Sequence, residues 1–98
     1  MARRAEPSDT PVPRFTGPAE YRPLHVYLRD RFADTVVLTF AQMEDLLGFP
    51  LPAIARLEPD WWDNDAEHPS TQARTWTQAR RTATPHLVAR NVAFERLP

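Results

Sequence analysis

Residues 60–76, DWWDNDAEHPSTQARTW, constrain the fold more than any other stretch of the chain. Neighbouring side chains cannot both enter one core. Of Trp61 and Trp62, one indole is therefore expected inside and the other at an edge, with Trp76 meeting the buried one. A chain of 98 residues forms one domain at most, and a domain that small is marginal unless large side chains fill it. Three Trp, five Phe and two Tyr supply that bulk. The stretch also changes sign along its length. Glu58, Asp60, Asp63, Asp65 and Glu67 precede it or lie in its first half, and an arginine-bearing segment follows from Ser70.

Prolines and capping residues divide the rest into short elements. Residues 22–32 read as a helix. Pro23 suits a first turn, where its absent N–H is not needed, and Leu24, Leu28 and Phe32 recur every four residues beside Tyr21 and Tyr27. TVVLT, residues 35–39, is a β-branched run too short for a helix and reads as a strand. Thr39 with Gln42 three residues on is a capping-box signature. A second helix therefore starts at Phe40, buries Phe40, Met43, Leu46 and Leu47, and stops at Gly48. Pro52 opens a short third helix with Leu51, Ile54 and Leu57 inward, and Pro59 closes it. Pro69 and Ser70 enter a fourth helix over residues 70–81. Its inner side holds Ala73, Trp76, Ala79 and Ala83, with Gln72 beside them as a buried hydrogen-bonder; Thr71, Arg74, Gln78 and Arg81 fall opposite. HLVARNVAFERL, residues 86–97, alternates on both sides of Arg90 and Asn91. It reads as a hairpin with Val92 and Phe94 inward and Ala93 and Glu95 outward.

The order is helix, strand, three helices, hairpin. The expected fold class is α+β: a small winged helix-turn-helix-like domain over residues 19–98, with about four helices, a short strand and a C-terminal β-hairpin. Residues 1–18 carry Pro7, Pro11, Pro13 and Pro18 among polar residues and read as a flexible arm. Its cations Arg3, Arg4 and Arg14 are offset by Glu6, Asp9 and Glu20, so the arm is expected to be an inert tail.

Four stretches form a wider pattern: YRPLHVYL (21–28), VLTFAQMEDLLGFPLP (37–52), WWDN (61–64) and QARTW (72–76), followed by Val92, Phe94 and Arg96. In that order they resemble a family of small prokaryotic domains of unknown function, over residues 21–96. The family pattern has a small Ala-Gly pair after its third tryptophan. This chain has Ala79 and Arg80 there, so the end of the fourth helix departs from the pattern. The resemblance implies a shared fold and no particular activity.

Composition excludes several function classes. A net charge of −1 provides no global attraction to nucleic acid or to an anionic membrane. All twelve basic residues are Arg, which fits a GC-rich codon bias as well as a need for planar bidentate contacts. With no Cys there is neither a disulfide framework nor a thiolate metal site. No apolar stretch follows the N-terminal arginines, and no run is long enough to span a membrane, so a cytoplasmic bacterial protein with no membrane partner is expected. His25, His68 and His86 are scattered without metal-ligand spacing. DNDAEH lacks the central glycine of a calcium loop. Ser70 with His68 has no orienting acid, and Gly17 and Gly48 do not make a phosphate-binding loop. The expectation is no enzyme, no metal and no cofactor.

What remains is the basic side. Thr71, Arg74, Gln78, Arg80 and Arg81, with Arg90 and Arg96 of the hairpin, are residue types that bind phosphate and read base edges. They point to a DNA-binding winged-helix protein, a small transcription regulator or accessory domain. Its fourth helix would sit in the major groove of double-stranded DNA and its hairpin on phosphate. The alternative is a protein–protein interaction module without nucleic-acid binding, a homodimer or a partner's binder, using Trp61, Trp62 and Asn64 with the acidic loop. The acidic loop opposes the first reading if it shares the face of the arginines.

Overall fold

In the computed structural model, residues 15–98 other than Ala66 are described. Among them the chain runs α1 (Arg22–Asp30), β1 (Thr35–Thr39), α2 (Phe40–Leu47), α3 (Ala53–Leu57), α4 (Arg74–Thr77), β2 (Arg81–His86) and β3 (Asn91–Arg96). The strands form one antiparallel sheet in the order β1-β3-β2. This is a small α+β domain with four short helices and a three-stranded sheet.

Local chemistry accounts for the first half. The capping box at the start of α2 is complete: the Gln42 amide N–H donates to Thr39 Oγ1 (3.0 Å), and the Thr39 N–H donates to Gln42 Oε1 (2.9 Å). Gly48 ends α2 at φ +84, the left-handed conformation that glycine adopts without penalty. The turn to α3 is held by Glu44, whose carboxylate accepts from the Leu51 N–H (2.7 Å) and from Arg56. β1 alternates as expected, with Val36 and Leu38 buried and Val37 outside.

The tryptophans meet where the sheet meets the helices. Trp62 is 1 % exposed and its indole N–H donates to Ala55 O at 2.8 Å. It stacks parallel to Phe40 at 6.1 Å and against Trp76 at 5.3 Å, with Phe94 of β3 behind both. The Trp76 indole donates to Asp63 O at 2.8 Å. Each buried indole thus satisfies its one polar group, the condition for placing it in a core. Trp61 lies half-buried at the edge, against Tyr21.

Several expectations need correction. α1 ends at Asp30 rather than Phe32, and Phe32 is 96 % exposed. The carbonyl of Leu28, which a further turn would offer to the Phe32 N–H, instead accepts from Arg81 Nε. In α3 the buried residue is Ala55, while Ile54 and Leu57 face out. The Trp62 indole N–H donates to the Ala55 carbonyl, which ties this side of α3 to the core. The fourth helix is not a helix over 70–81: α4 covers four residues between turns, and the chain is extended from Arg81. The first arm of the hairpin is therefore RTATPH, not HLVA, and residues 87–90 form the turn. Ala93, expected outside, is buried between its cross-strand neighbours Val37 and Thr84.

β2 is an edge strand, which explains how it tolerates Pro85. The outer edge of its centre is covered by Asn64. The Asn64 amide donates to Ala83 O (2.8 Å) and accepts from Ala83 N–H (2.7 Å), imitating the backbone of a fourth strand. The acidic loop is closed by its own groups. Asp65 Oδ1 accepts from the N–H of Glu67 and His68, and Gln72, half-buried, donates to Trp61 O.

Candidate functional site

Arg81 is the residue around which the candidate site is built. It is 1 % exposed, yet among the described residues no carboxylate hydrogen-bonds to it. Its Nε donates to Leu28 O (2.9 Å), its Nη1 to Asp34 O (3.1 Å) and Phe94 O (3.4 Å), and its Nη2 to Arg31 O (3.0 Å) and Ala33 O (2.9 Å). Apart from Phe94 O of β3, these are carbonyls of the last turn of α1 and of the loop after it, which a helix terminus leaves without partners. Burial, and next the neighbouring Arg96 cation, push the guanidinium below its ordinary pKa, but an arginine remains charged in proteins. Dipoles solvate this cation without neutralising it.

Above Arg81 lies a cleft of about 510 Å³ between α1, the end of α4 and the free ends of β2 and β3. Leu28 and Ala79 form its apolar base. Arg29, Arg80 and Arg96 stand at the rim, and His25 with Phe15 forms a wall. The rim cations are only partly countered: Arg29 pairs with Asp30 at 2.9 Å, and Arg96 Nε stands 3.9 Å from a 93 % exposed Asp34 carboxylate. Four guanidiniums thus face two solvent-exposed carboxylates, and the local balance is positive in a chain whose net charge is −1.

Arg80 occupies its place at a conformational cost. Its φ is +64, a left-handed conformation that a residue with a β-carbon avoids by about 1–2 kcal/mol. Non-glycine residues in this conformation concentrate at functional sites, where the surrounding structure holds them. Here the constraint comes from the Arg80 N–H donating to Thr77 O (3.0 Å) and the Leu97 N–H donating to Arg80 O (2.9 Å), which lock the turn from α4 into β2.

His25 is buried on α1, with Nδ1 3.1 Å from Thr75 O. A carbonyl only accepts, so Nδ1 carries the hydrogen and Nε2 is left as an acceptor. Desolvation, aided by the Arg29 and Arg22 cations, lowers its pKa against the opposing pull of the Thr75 carbonyl and Asp30. The imidazole is therefore neutral at pH 7. Among the described residues no group of three or more His, Cys, Asp or Glu could hold a metal ion, and no helix is long and apolar enough to cross a membrane.

The residues singled out from sequence are dispersed. Arg74 Nη1 donates to Thr16 O (3.2 Å), and Gln78 holds both the N–H (2.9 Å) and the hydroxyl (2.6 Å) of Thr16. The face of α4 expected to read DNA is thus covered by residue 16, part of the segment read as a free arm. Residues 1–14, the remainder of that arm, lie outside the described residues. Arg81, expected on the same outward face, is buried, because it starts a strand and not a further helical turn. Thr71 is exposed away from the cleft, and Arg90 sits in the hairpin turn at φ +62, its carbonyl accepting from Phe40 N–H. Of the alternative set, Trp62 is inside the core and Asn64 is engaged with β2, so neither offers a side chain to a partner, and Trp61 is half-buried. Of the DNA-binding set, Gln78, Arg80 and Arg81 line the cleft, together with Arg96 of the hairpin. Sequence reasoning missed Arg29, His25 and Phe15. The signal for His25 was present: it shares the buried side of α1 with Leu24 and Leu28.

The class defined by this arrangement is a small α+β domain with an arginine-rimmed cleft. The family model for a domain of unknown function (DUF7662) matches residues 21–98, and the chain belongs to that family. No curated protein and no solved structure matches it.

Proposed function

We propose that this domain is a non-catalytic binding module whose ligand is a phosphate-bearing anion held in the cleft by Arg29, Arg80 and Arg96. The supporting observation is the convergence of three rim guanidiniums above a fourth that is buried and solvated by carbonyls alone. Guanidinium forks match the oxygens of phosphate, and a buried cation adds attraction that salt screens weakly. Calorimetric titration with inorganic phosphate at low and moderate salt tests the reading. Binding that is lost in Arg80→Ala and Arg96→Gln is expected; absence of binding at low salt overturns it.

A second reading keeps duplex DNA as the source of the phosphate. It is supported by an element order and a strand order, β1-β3-β2, that resemble those of a winged helix, on which reading the residue 87–90 turn would be the wing. Arg74 and Gln78 are engaged with Thr16, so on this reading contact passes through Arg80, Arg96 and Arg90 rather than the outer face of α4. A short duplex added as a second arm separates the two. DNA binding must show a steep loss with salt, since each neutralised phosphate releases counterions; a flat response removes it.

A further inference from the structure

Four residues that precede the family domain complete the cleft. The family match begins at Tyr21, and residues 15–18 lie outside it. Thr16 is clamped to α4 and the residue after it by three hydrogen bonds: its N–H donates to Gln78 Oε1, its hydroxyl accepts from Gln78 Nε2 and its carbonyl accepts from Arg74. This clamp places the Phe15 ring on His25, stacked at 4.4 Å between centroids and 20° between planes. Gly17 lets the ring lie flat. A β-carbon at Gly17 would stand 2.5 Å from Phe15 Cζ and 2.7 Å from Cε1. Pro18 then starts the turn into α1, its carbonyl accepting from Tyr21 N–H at 2.9 Å. Each residue of the strap serves one outcome, an aromatic ring held as a wall of the cleft beside the arginines.

We infer that Phe15 is a specificity-determining residue that selects organic phosphate monoesters carrying a planar ring, with the phosphate on the rim arginines and the ring against Phe15. The inference rests on the anion reading above and adds the chemical class of the ligand. Inorganic phosphate uses the arginines but leaves the apolar side of the cleft unfilled. A cleft of about 510 Å³ is of the size that encloses a small organic ligand. Its composition suits such a molecule: cations at the rim, Leu28 and Ala79 at the base, and an aromatic face at the side. A phosphate ester with a short alkyl chain fills the same space without gaining the ring contact.

The test titrates the full chain with three probes: inorganic phosphate, ethyl phosphate and phenyl phosphate. The expected result is that phenyl phosphate binds roughly five-fold tighter than ethyl phosphate, as an aromatic pair contributes beyond its buried area. Phe15→Ala is expected to remove that preference, read as the ratio of phenyl phosphate to ethyl phosphate affinity. Gly17→Ala is expected to do the same, because its new methyl group displaces the Phe15 ring while leaving that residue and the rim arginines unsubstituted. Far-ultraviolet circular dichroism confirms that both variants fold, and the two act as independent routes to one outcome. If inorganic phosphate binds but phenyl and ethyl phosphates are equivalent, or if the preference survives both substitutions, the role of Phe15 is overturned while the anion site stands. If none of the three probes binds, both fall.

Discussion

Arg80→Gly separates the cost of the site from its use. At φ +64 the arginine backbone carries a left-handed penalty of about 1–2 kcal/mol, which glycine removes. Glycine returns about 0.5–1 kcal/mol of that through the larger freedom of its unfolded chain. Both turn hydrogen bonds, to Thr77 O and from Leu97 N–H, are made by the backbone and survive the substitution. The net expectation is a domain more stable by about 0.5–1 kcal/mol, which for a chain of this size raises the melting temperature by about 2–8 °C. The same change removes one rim guanidinium. At an exposed rim a charge-assisted contact to phosphate contributes about 1.5 kcal/mol, the low end of its range, so phosphate affinity falls by roughly ten-fold. Arg80→Ala is the control, because it loses the charge and keeps the left-handed penalty. It is expected to weaken phosphate binding equally without the gain in stability. Thermal denaturation and calorimetric titration on the three proteins read both effects. If Arg80→Gly is destabilising, or if it binds phosphate as the parent does, the argument that a strained backbone is retained for the sake of the side chain is refuted.

Arg81→Met keeps the volume but deprives five carbonyl oxygens of a donor, and should cost about 3–5 kcal/mol in urea denaturation; a loss under about 1 kcal/mol would mean water replaces the guanidinium. Asn64→Ala exposes the edge of β2 at Ala83 and should cost about 1–2 kcal/mol, with hydrogen exchange at the Ala83 amide accelerated ahead of that at Phe94. His25 has a folded pKa below its ordinary 6.5, so the unfolded chain takes up a proton first as the pH falls. Its contribution is present above pH 6.5 and is lost on acidification, before the window near and below 4.5 in which the lowered carboxyls of Glu44 and Asp65 titrate. Urea midpoints at about pH 7.5 and about pH 5.5 should differ in the parent and converge in His25→Asn; an unchanged difference would assign the effect to another group.

The elements that sequence reasoning placed correctly are those whose cause is local. The Thr39–Gln42 cap, the Gly48 stop and the short strand before them depend on residues at most a few positions apart. That Trp76 meets the buried member of the Trp61–Trp62 pair was also legible, since few chains this small have anywhere else to put two indoles; that this member is Trp62 was not. The hairpin was displaced because RTATPH carries both a strand signal in its threonines and a contrary one in Pro85, which only its edge position resolves. The stripe of Ala73, Trp76, Ala79 and Ala83 misled for a related reason. Ala79 and Ala83 are both buried, but Ala79 lies in the turn and Ala83 on β2, where the inward alternation starts at Arg81.

Composition and short-range pattern thus decided that this chain is a small mixed domain with an aromatic core and an arginine-only set of cations. Which arginine is buried, which are tied to the residues before the domain and which stand at a cleft was decided in the tertiary structure alone. The reason is physical: a guanidinium is placed by whichever carbonyl or carboxylate partners reach it. Those of Arg81 lie 13 to 53 residues away along the chain, and the Thr16 partner of Arg74 lies 58 away. No periodicity within a single element encodes such distances.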